Sequence, residues 1–250
     1  MVNYKAFYEG YHQNRLLPKR IITAKNFTYR HIVAALDRYC LGKTVLDFGS
    51  GVGTLALYLA NQGKQVTGVE ISQKAVDIAQ ESARIFGLTK TVKFLRVDIF
   101  KTDLKKKFDF IICSEVLEHL PDDGRAIVKI FALLKPNGRV LISVPSANAP
   151  LIKTGALAHF DAWSGHLRRY TVASLTKLLN QHRFQVIFSK KNEGLIRDAL
   201  FVFPVIGSQI VRLANRFALI SDLITRIDNL FLKLFGESQL IIVAKPLHKA

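Results

Sequence analysis

The chain has 250 residues, enough for one sizeable α/β unit with an elaboration and too few for two independent domains. Apolar residues make up 49% and charged residues 22%, which excludes disorder over any long stretch and predicts a packed core. The formal net charge of +17 sits in the flanks: residues 1–43 hold eight Lys and Arg against two acids, and residues 151–250 fourteen against six. Such a surplus suits an anionic partner, nucleic acid or the anionic face of a membrane, or else a solvated basic surface.

The first twenty residues lack the apolar segment of a secretory signal, and Cys40 and Cys113 have no metal-ligand spacing, so a reducing cytoplasm is the expected location. Residues 1–43 read as a basic helical cap, with an amphipathic helix over Tyr29 to Tyr39. From Thr44 the pattern becomes strand-sized apolar runs separated by amphipathic ones, the rhythm of βαβ units. The predicted strands are Thr44–Phe48, Gln65–Glu70, Val92–Val97, Phe108–Cys113, Arg139–Val144, Phe184–Ser189 and Gln239–Ala244. Helices are expected at Leu55–Asn61, Gln73–Phe86, Arg125–Leu134 and Val172–Asn180, the third stopped by Lys135-Pro136-Asn137-Gly138. The expected fold is a Rossmann-like seven-stranded, mostly parallel sheet with helices on both faces. Its core covers 44–193 and is completed by 237–250.

Residues 194–236 break the rhythm. Ile210, Leu213, Phe217, Ile220, Ile224, Ile227, Leu230 and Leu234 recur at spacings of three and four, opposite Arg212, Arg216, Arg226 and Lys233. This predicts an amphipathic helix or helix pair inserted between the last two strands.

The strongest local signal runs from Val45 through Asp47, Gly49, Gly51 and Gly53 to Thr54: an apolar strand, an acid, and a glycine-rich turn opening a helix. Glycines permit positive φ and let a ligand lie against bare backbone, and the helix N-terminal amides offer donors. Glu70, followed by Ile71, closes the second strand, where a carboxylate can accept both hydroxyls of a ribose. Asp98 and Ile99 end the third. A dinucleotide would favour G-x-G-x-x-G spacing, and its pyrophosphate would be repelled by Asp47, whereas an ammonium would be attracted.

In these motifs the chain resembles the class I S-adenosylmethionine (SAM) dependent methyltransferases, particularly the ubiquinone-pathway O-methyltransferase-like group. The likeness covers about residues 40–145 and the closing strand. It implies SAM as cofactor, with Asp47, Gly49, Gly51 and Gly53 at its methionine part, Glu70 and Ile71 at the ribose, Asp98 and Ile99 at the adenine, and Ser114 beside the methionine end. It also implies a reversed last hairpin, with Gln239–Ala244 antiparallel between its neighbours.

Methyl transfer requires alignment of the acceptor and, for a hydroxyl, removal of its proton. His119 and His166 are the candidate catalytic residues. A metal-free site is the preferred reading. Glu115, Glu118, His119 and His166 also resemble the divalent-metal set of small-RNA 2′-O-methyltransferases and of some ubiquinone-pathway enzymes. Arg168 and Arg169 are read either as a grip on an acidic group of the acceptor or as surface charge, and Trp163 is expected to be buried.

The expected acceptor is a lipophilic or lipid-linked small molecule, with the 194–236 segment lying on a membrane, packing on the core or meeting a second copy in a homodimer. RNA is the less favoured acceptor, because the aromatics of that segment fall on its apolar stripe and do not interleave with its basic residues. A non-catalytic partner subunit with this fold is the remaining alternative.

Overall fold

The structure is a computed structural model that describes residues 4–13, 16–102 and 104–247. Five residues of the expected N-terminal cap, 1–3 and 14–15, one of the expected core, 103, and the last three of the 237–250 segment therefore lie outside the described residues. Seven strands form one sheet: β1 (Thr44–Phe48), β2 (Gln65–Glu70), β3 (Val92–Arg96), β4 (Phe108–Ser114), β5 (Leu134–Pro145), β6 (Phe184–Asn192) and β7 (Gln239–Pro246). Their order is β3-β2-β1-β4-β5-β7-β6. The pairs from β3 through β5 are parallel, and β7 runs antiparallel to both β5 and β6. The reversed hairpin expected from the family resemblance is present.

Alternation along the strands builds two cores. Val45, Phe110, Ile112, Ile241 and Val243 pack on one face beneath α2 (Arg30–Tyr39), α3 (Thr54–Asn61) and α4 (Gln73–Ile85). Their neighbours Leu46, Ile111, Cys113, Leu240 and Ile242 pack on the other, beneath α5 (Asp123–Leu133) and α7 (Val172–Gln181). This is the period-two pattern of strands buried on both faces. Local chemistry fixes the helix starts: the Ser72 Oγ accepts from Ala75 N at α4, and Thr171 and Ser174 form a reciprocal capping box at α7.

Three features depart from the expected elements. The Lys135-Pro136-Asn137-Gly138 segment does not separate helix from strand. Leu134 is already paired with Phe108, the next partner pair is Phe110 with Arg139, and the intervening residues form a bulge within β5. Two short helices were not anticipated, α1 (Tyr4–His12) and α6 (Ala158–Ser164). The 194–236 segment is three helices, α8 (Leu195–Val202), α9 (Pro204–Arg216) and α10 (Ala218–Phe235).

The side of α10 turned to the core is polar. Ser221, Thr225 and Asp228 are its buried residues. Arg30 donates to the Ser221 carbonyl and to Thr225 Oγ1, and pairs with Asp222. Asp228 accepts from the amides of Gly194 and Ile196. Buried Arg197 is bound by Glu193 at 2.8 Å and lies over the Phe27 ring at 3.9 Å. The insertion is thus fastened to residues 20–30 by directional bonds, because its own apolar stripe points away.

Candidate active site

Parallel strands that change direction of winding between β1 and β4 leave a crevice at their C-terminal edge, the place where open α/β sheets bind ligands. The glycine-rich turn lies there. Gly49, Gly51 and Gly53 all have positive φ. A side chain on Gly49 would run into Val116 and one on Gly53 into Phe94, whereas at Gly51 only His12 comes near, at 3.8 Å. The backbone at Gly51 is therefore the stretch open to close approach.

Asp47 is buried beneath this turn, and burial pushes its pKa up to about 7, with a backbone hydrogen bond from Ala56 opposing and Glu70 reinforcing the rise. Glu70 Oε2 accepts from Gly51 N at 3.0 Å, and Oε1 accepts from Ile71 N and Ser72 N at 2.7 and 3.0 Å. Burial raises its pKa and those three amides oppose the rise. A carboxylate has about four acceptor positions, so gripping both hydroxyls of a ribose requires one of the three amides to give way.

The remaining predicted contacts are placed less simply. Asp98 does not terminate β3 but lies two residues beyond it, accepting from Phe100 N at 3.0 Å in a turn. Ile99 packs against the second core. Ser114 Oγ shares a hydrogen bond with Ser143 Oγ at 2.8 Å, and Ser143 donates in turn to Glu115.

Beyond β4 a single 3-10 turn, Leu117–His119, carries the acid and base groups. It is tied to the approach to α7, where Leu167 N donates to the Glu118 carbonyl, so His119 and His166 face each other with ring centroids 5.0 Å apart. His119 Nδ1 lies 3.2 Å from the Gly165 carbonyl and His166 Nδ1 lies 2.8 Å from Asp161 Oδ1. Both partners are acceptors, which assigns the proton to Nδ1 in each ring and leaves each Nε2 with a lone pair. Burial holds His119 down at about 4, helped by His166 and opposed by the Gly165 carbonyl. Burial works against ionisation of Asp161, but hydrogen bonds from His166 and Arg169 outweigh it and keep that carboxyl at about 2.

Glu118 is fully buried, and neither of its oxygens has a hydrogen-bond partner among the described residues. Burial, reinforced by Glu115, pushes its pKa well above the carboxylate range. Glu118, His119 and His166 each offer one ligand atom within 4.8 Å of the others, so the three could hold a divalent cation. Glu115 is outside this set, its Oε1 accepting from Ser143 and Gln239.

Several contributors were missed in the sequence. Tyr8, His119, His166, Phe160, Trp163 and Tyr11 form a closed circuit of rings, each 5.0 to 6.5 Å from the next, joining α1 and α6 over the histidines. Glu9 secures α1 by accepting from Ser72 Oγ, Gln73 N and Lys74 N at the start of α4. The recurrence of Phe7, Tyr8 and Tyr11 was the available signal. Trp163 is not buried as expected but 58% exposed, since it borders this circuit from outside. Arg169 is neither a free grip nor surface charge: it binds both oxygens of Asp161. Arg168 is likewise held by Asp123 and the Pro121 carbonyl.

A family model described as a methyltransferase domain matches residues 24–188. The chain belongs to the SAM-dependent methyltransferases of class I. The ubiquinone biosynthesis O-methyltransferase of Coxiella burnetii is 39% identical over 107 residues, 43% of this chain and 45% of that protein. The enzyme of the same description from Chromobacterium violaceum is 34% identical over 116 residues, 46% and 50% of the two chains. The matches thus span about half the length of these relatives. Among solved structures, phosphoethanolamine N-methyltransferase 2 of Haemonchus contortus with SAM has a TM-score of 0.66 at 18% identity, over 88% of this chain and 53% of that one. Magnesium protoporphyrin IX methyltransferase from Synechocystis PCC 6803 with bound SAM has a TM-score of 0.60 at 18% identity, over 98% of both. These two likenesses concern the fold. The methyltransferase family fixes the cofactor as SAM.

Proposed function

We propose that this chain transfers the methyl group of SAM to an oxygen of a lipophilic or lipid-linked small molecule. In this reading Asp47 faces the cofactor's ammonium, Gly49, Gly51 and Gly53 border its methionine part near Ser114, Glu70 and Ile71 meet the ribose, and Asp98 and Ile99 the adenine.

The observation that carries the proposal is the histidine pair, with both Nδ1 atoms committed, His119 Nε2 3.6 Å from Glu118 Oε1, and no hydrogen bond to His166 Nε2 among the described residues. His166 takes the acceptor's proton and Asp161 stabilises the imidazolium that results. The acceptor oxygen forms its bond to the methyl carbon as the carbon–sulfur bond breaks and its electron pair stays on sulfur. Neutral His119 faces the same space and orients the hydroxyl. The named activity of the O-methyltransferase relatives supports oxygen as the methylated atom. The aromatic circuit around the histidines and the outward apolar helices support a lipophilic acceptor.

The test is incubation with labelled SAM and separate lipid, RNA and small-metabolite fractions, with and without chelator. Label in the lipid fraction is expected. Label in RNA alone selects a 2′-O-methyltransferase, and SAM binding without label in any fraction selects a non-catalytic partner subunit. Loss of transfer in chelator, restored by a divalent cation, assigns Glu118, His119 and His166 to a metal; unchanged transfer leaves the histidines acting alone.

A further inference from the structure

Eleven of the twenty large apolar side chains exposed among the described residues fall between Phe203 and Phe235. On α10 they form one strip: Leu219, Leu223, Ile227, Leu230 and Leu234 follow one another at spacings of four, four, three and four. At about 100° per residue this strip lies opposite buried Ser221, Thr225 and Asp228. Leu219 is 84% exposed and Leu230 71%, which is the reverse of how an amphipathic helix sits on a core. Helix α9 adds Val205, Ile206 and Leu213.

The charges around the strip sort by sign. The three acids of residues 194–236 are all engaged internally: Asp198 accepts from Leu151 N, Asp222 pairs with Arg30, and Asp228 accepts from Gly194 and Ile196. Arg212, Arg216, Arg226 and Lys233 are exposed, and none has an acid within salt-bridge distance among the described residues. Arg226 and Lys233 border the strip on α10. An apolar strip edged by unneutralised cations matches an anionic bilayer, with leucines below the head groups and basic side chains among them. The same cations, on a chain of net charge +17, oppose a second copy of this face. No helix among the described residues is long and apolar enough to cross a membrane, so the contact is along the surface.

Topology puts this surface beside the site. The insertion leaves the sheet at Asn192 and returns at Gln239, side chains joined by a 2.6 Å hydrogen bond, and Gln239 also donates to Glu115. Gly236 abuts the Asn148 carbonyl in the loop after β5.

We infer that α9 and α10 are an interfacial docking surface for an anionic lipid bilayer, which delivers the acceptor from the membrane to the histidine pair. The inference rests on the proposed lipophilic acceptor for its purpose, but its test is independent of catalysis.

The full chain is floated with vesicles of phosphatidylcholine alone or containing phosphatidylglycerol. Retention on the anionic vesicles is expected, with Leu219→Asp/Leu230→Asp and Arg226→Glu/Lys233→Glu each lowering it roughly tenfold or more. SAM affinity measured by calorimetry, and thermal melting, are expected to stay unchanged in both variants, which shows that each still folds. Equal retention on both vesicle types, or failure to bind either, overturns the inference. Full retention of the leucine variant overturns it also, because adsorption is then by charge alone. A dimer in sedimentation that Leu230→Asp dissolves assigns the strip to a second copy instead. Vesicle binding by a chain that transfers no label to lipid leaves the surface standing and removes the proposed acceptor.

Discussion

His166 Nδ1 and Asp161 Oδ1 are 2.8 Å apart, and the same carboxylate is held by Nε and one terminal nitrogen of Arg169. The arrangement fixes the ring from behind and keeps Asp161 ionised. His166→Ala is expected to lower kcat about 100-fold or more with SAM affinity unchanged, since a positioned proton acceptor contributes roughly 10²–10⁴. Asp161→Asn is expected to give a smaller loss, with the pH profile of kcat shifted, because the imidazolium loses its counter-charge. Equal activity of both variants and the parent in the lipid-fraction assay rejects His166 as base.

Asp47 supplies a pH signature. In the cofactor-free protein its pKa is about 7, and an ammonium beside it favours the ionised form. Below pH 7 binding must displace a proton, so SAM affinity is expected to fall as pH drops from 7 to 5.5 and to level off above 7.5. The folded-state pKa is raised, so its contribution to stability is fully present below the ordinary aspartate value and lost as pH rises through 7. Asp47→Asn should therefore melt higher than the parent at pH 8 while binding SAM weakly at every pH. Calorimetry and melting curves at four pH values check both statements.

The turn glycines separate folding from binding. Gly53→Ala places a Cβ 2.6 Å from Phe94 Cζ at positive φ, and a loss of several degrees in Tm is expected. Gly51→Ala meets open space apart from His12, so its thermal cost should be smaller, about 1 kcal/mol from φ alone, while SAM affinity falls. The opposite ranking in affinity would place the cofactor elsewhere on the turn.

Trp163 is the only tryptophan and rests 5.4 Å from Tyr11, ring to ring. Its fluorescence should report the union of α1 with α6. Glu9→Ala removes three hydrogen bonds at the start of α4, where an anion is favoured by the exposed amides. Stopped-flow measurement is expected to show altered Trp163 emission and SAM release about tenfold faster. Unchanged release would make α1 a passive cover.

How far the residues announced all this depends on the range over which each signal acts. The limits of β1 and β2 follow from local alternation and flanking turns, and they coincide with the expected ones. Asp47, the three turn glycines and Glu70 meet at one sheet edge because strand length and turn chemistry are local too. The bulge in β5 was not legible: Pro136 and Gly138 announce irregular backbone, but the pairing of Leu134 with Phe108 is decided across the sheet. Nor was the orientation of α10. Periodicity shows that it has two faces, while the choice of the polar one as inner face is made by Arg30, 191 residues away from Ser221. Short α1 and α6 carry aromatic residues whose partners lie on each other, so neither has a recognisable pattern alone.

The long reach of Arg30 bears on how the molecule assembles. Phe27 and Arg30, near the start, bind Asn215, Ser221 and Thr225, near the end. Contacts of such sequence separation form late and slowly. A chain emerging from the ribosome completes most of its sheet while these early side chains still lack their partners. Truncation before Ser221 would then leave Arg30 without Ser221, Asp222 and Thr225, and refolding should end in a slow phase in which the two extremities of the polypeptide find each other.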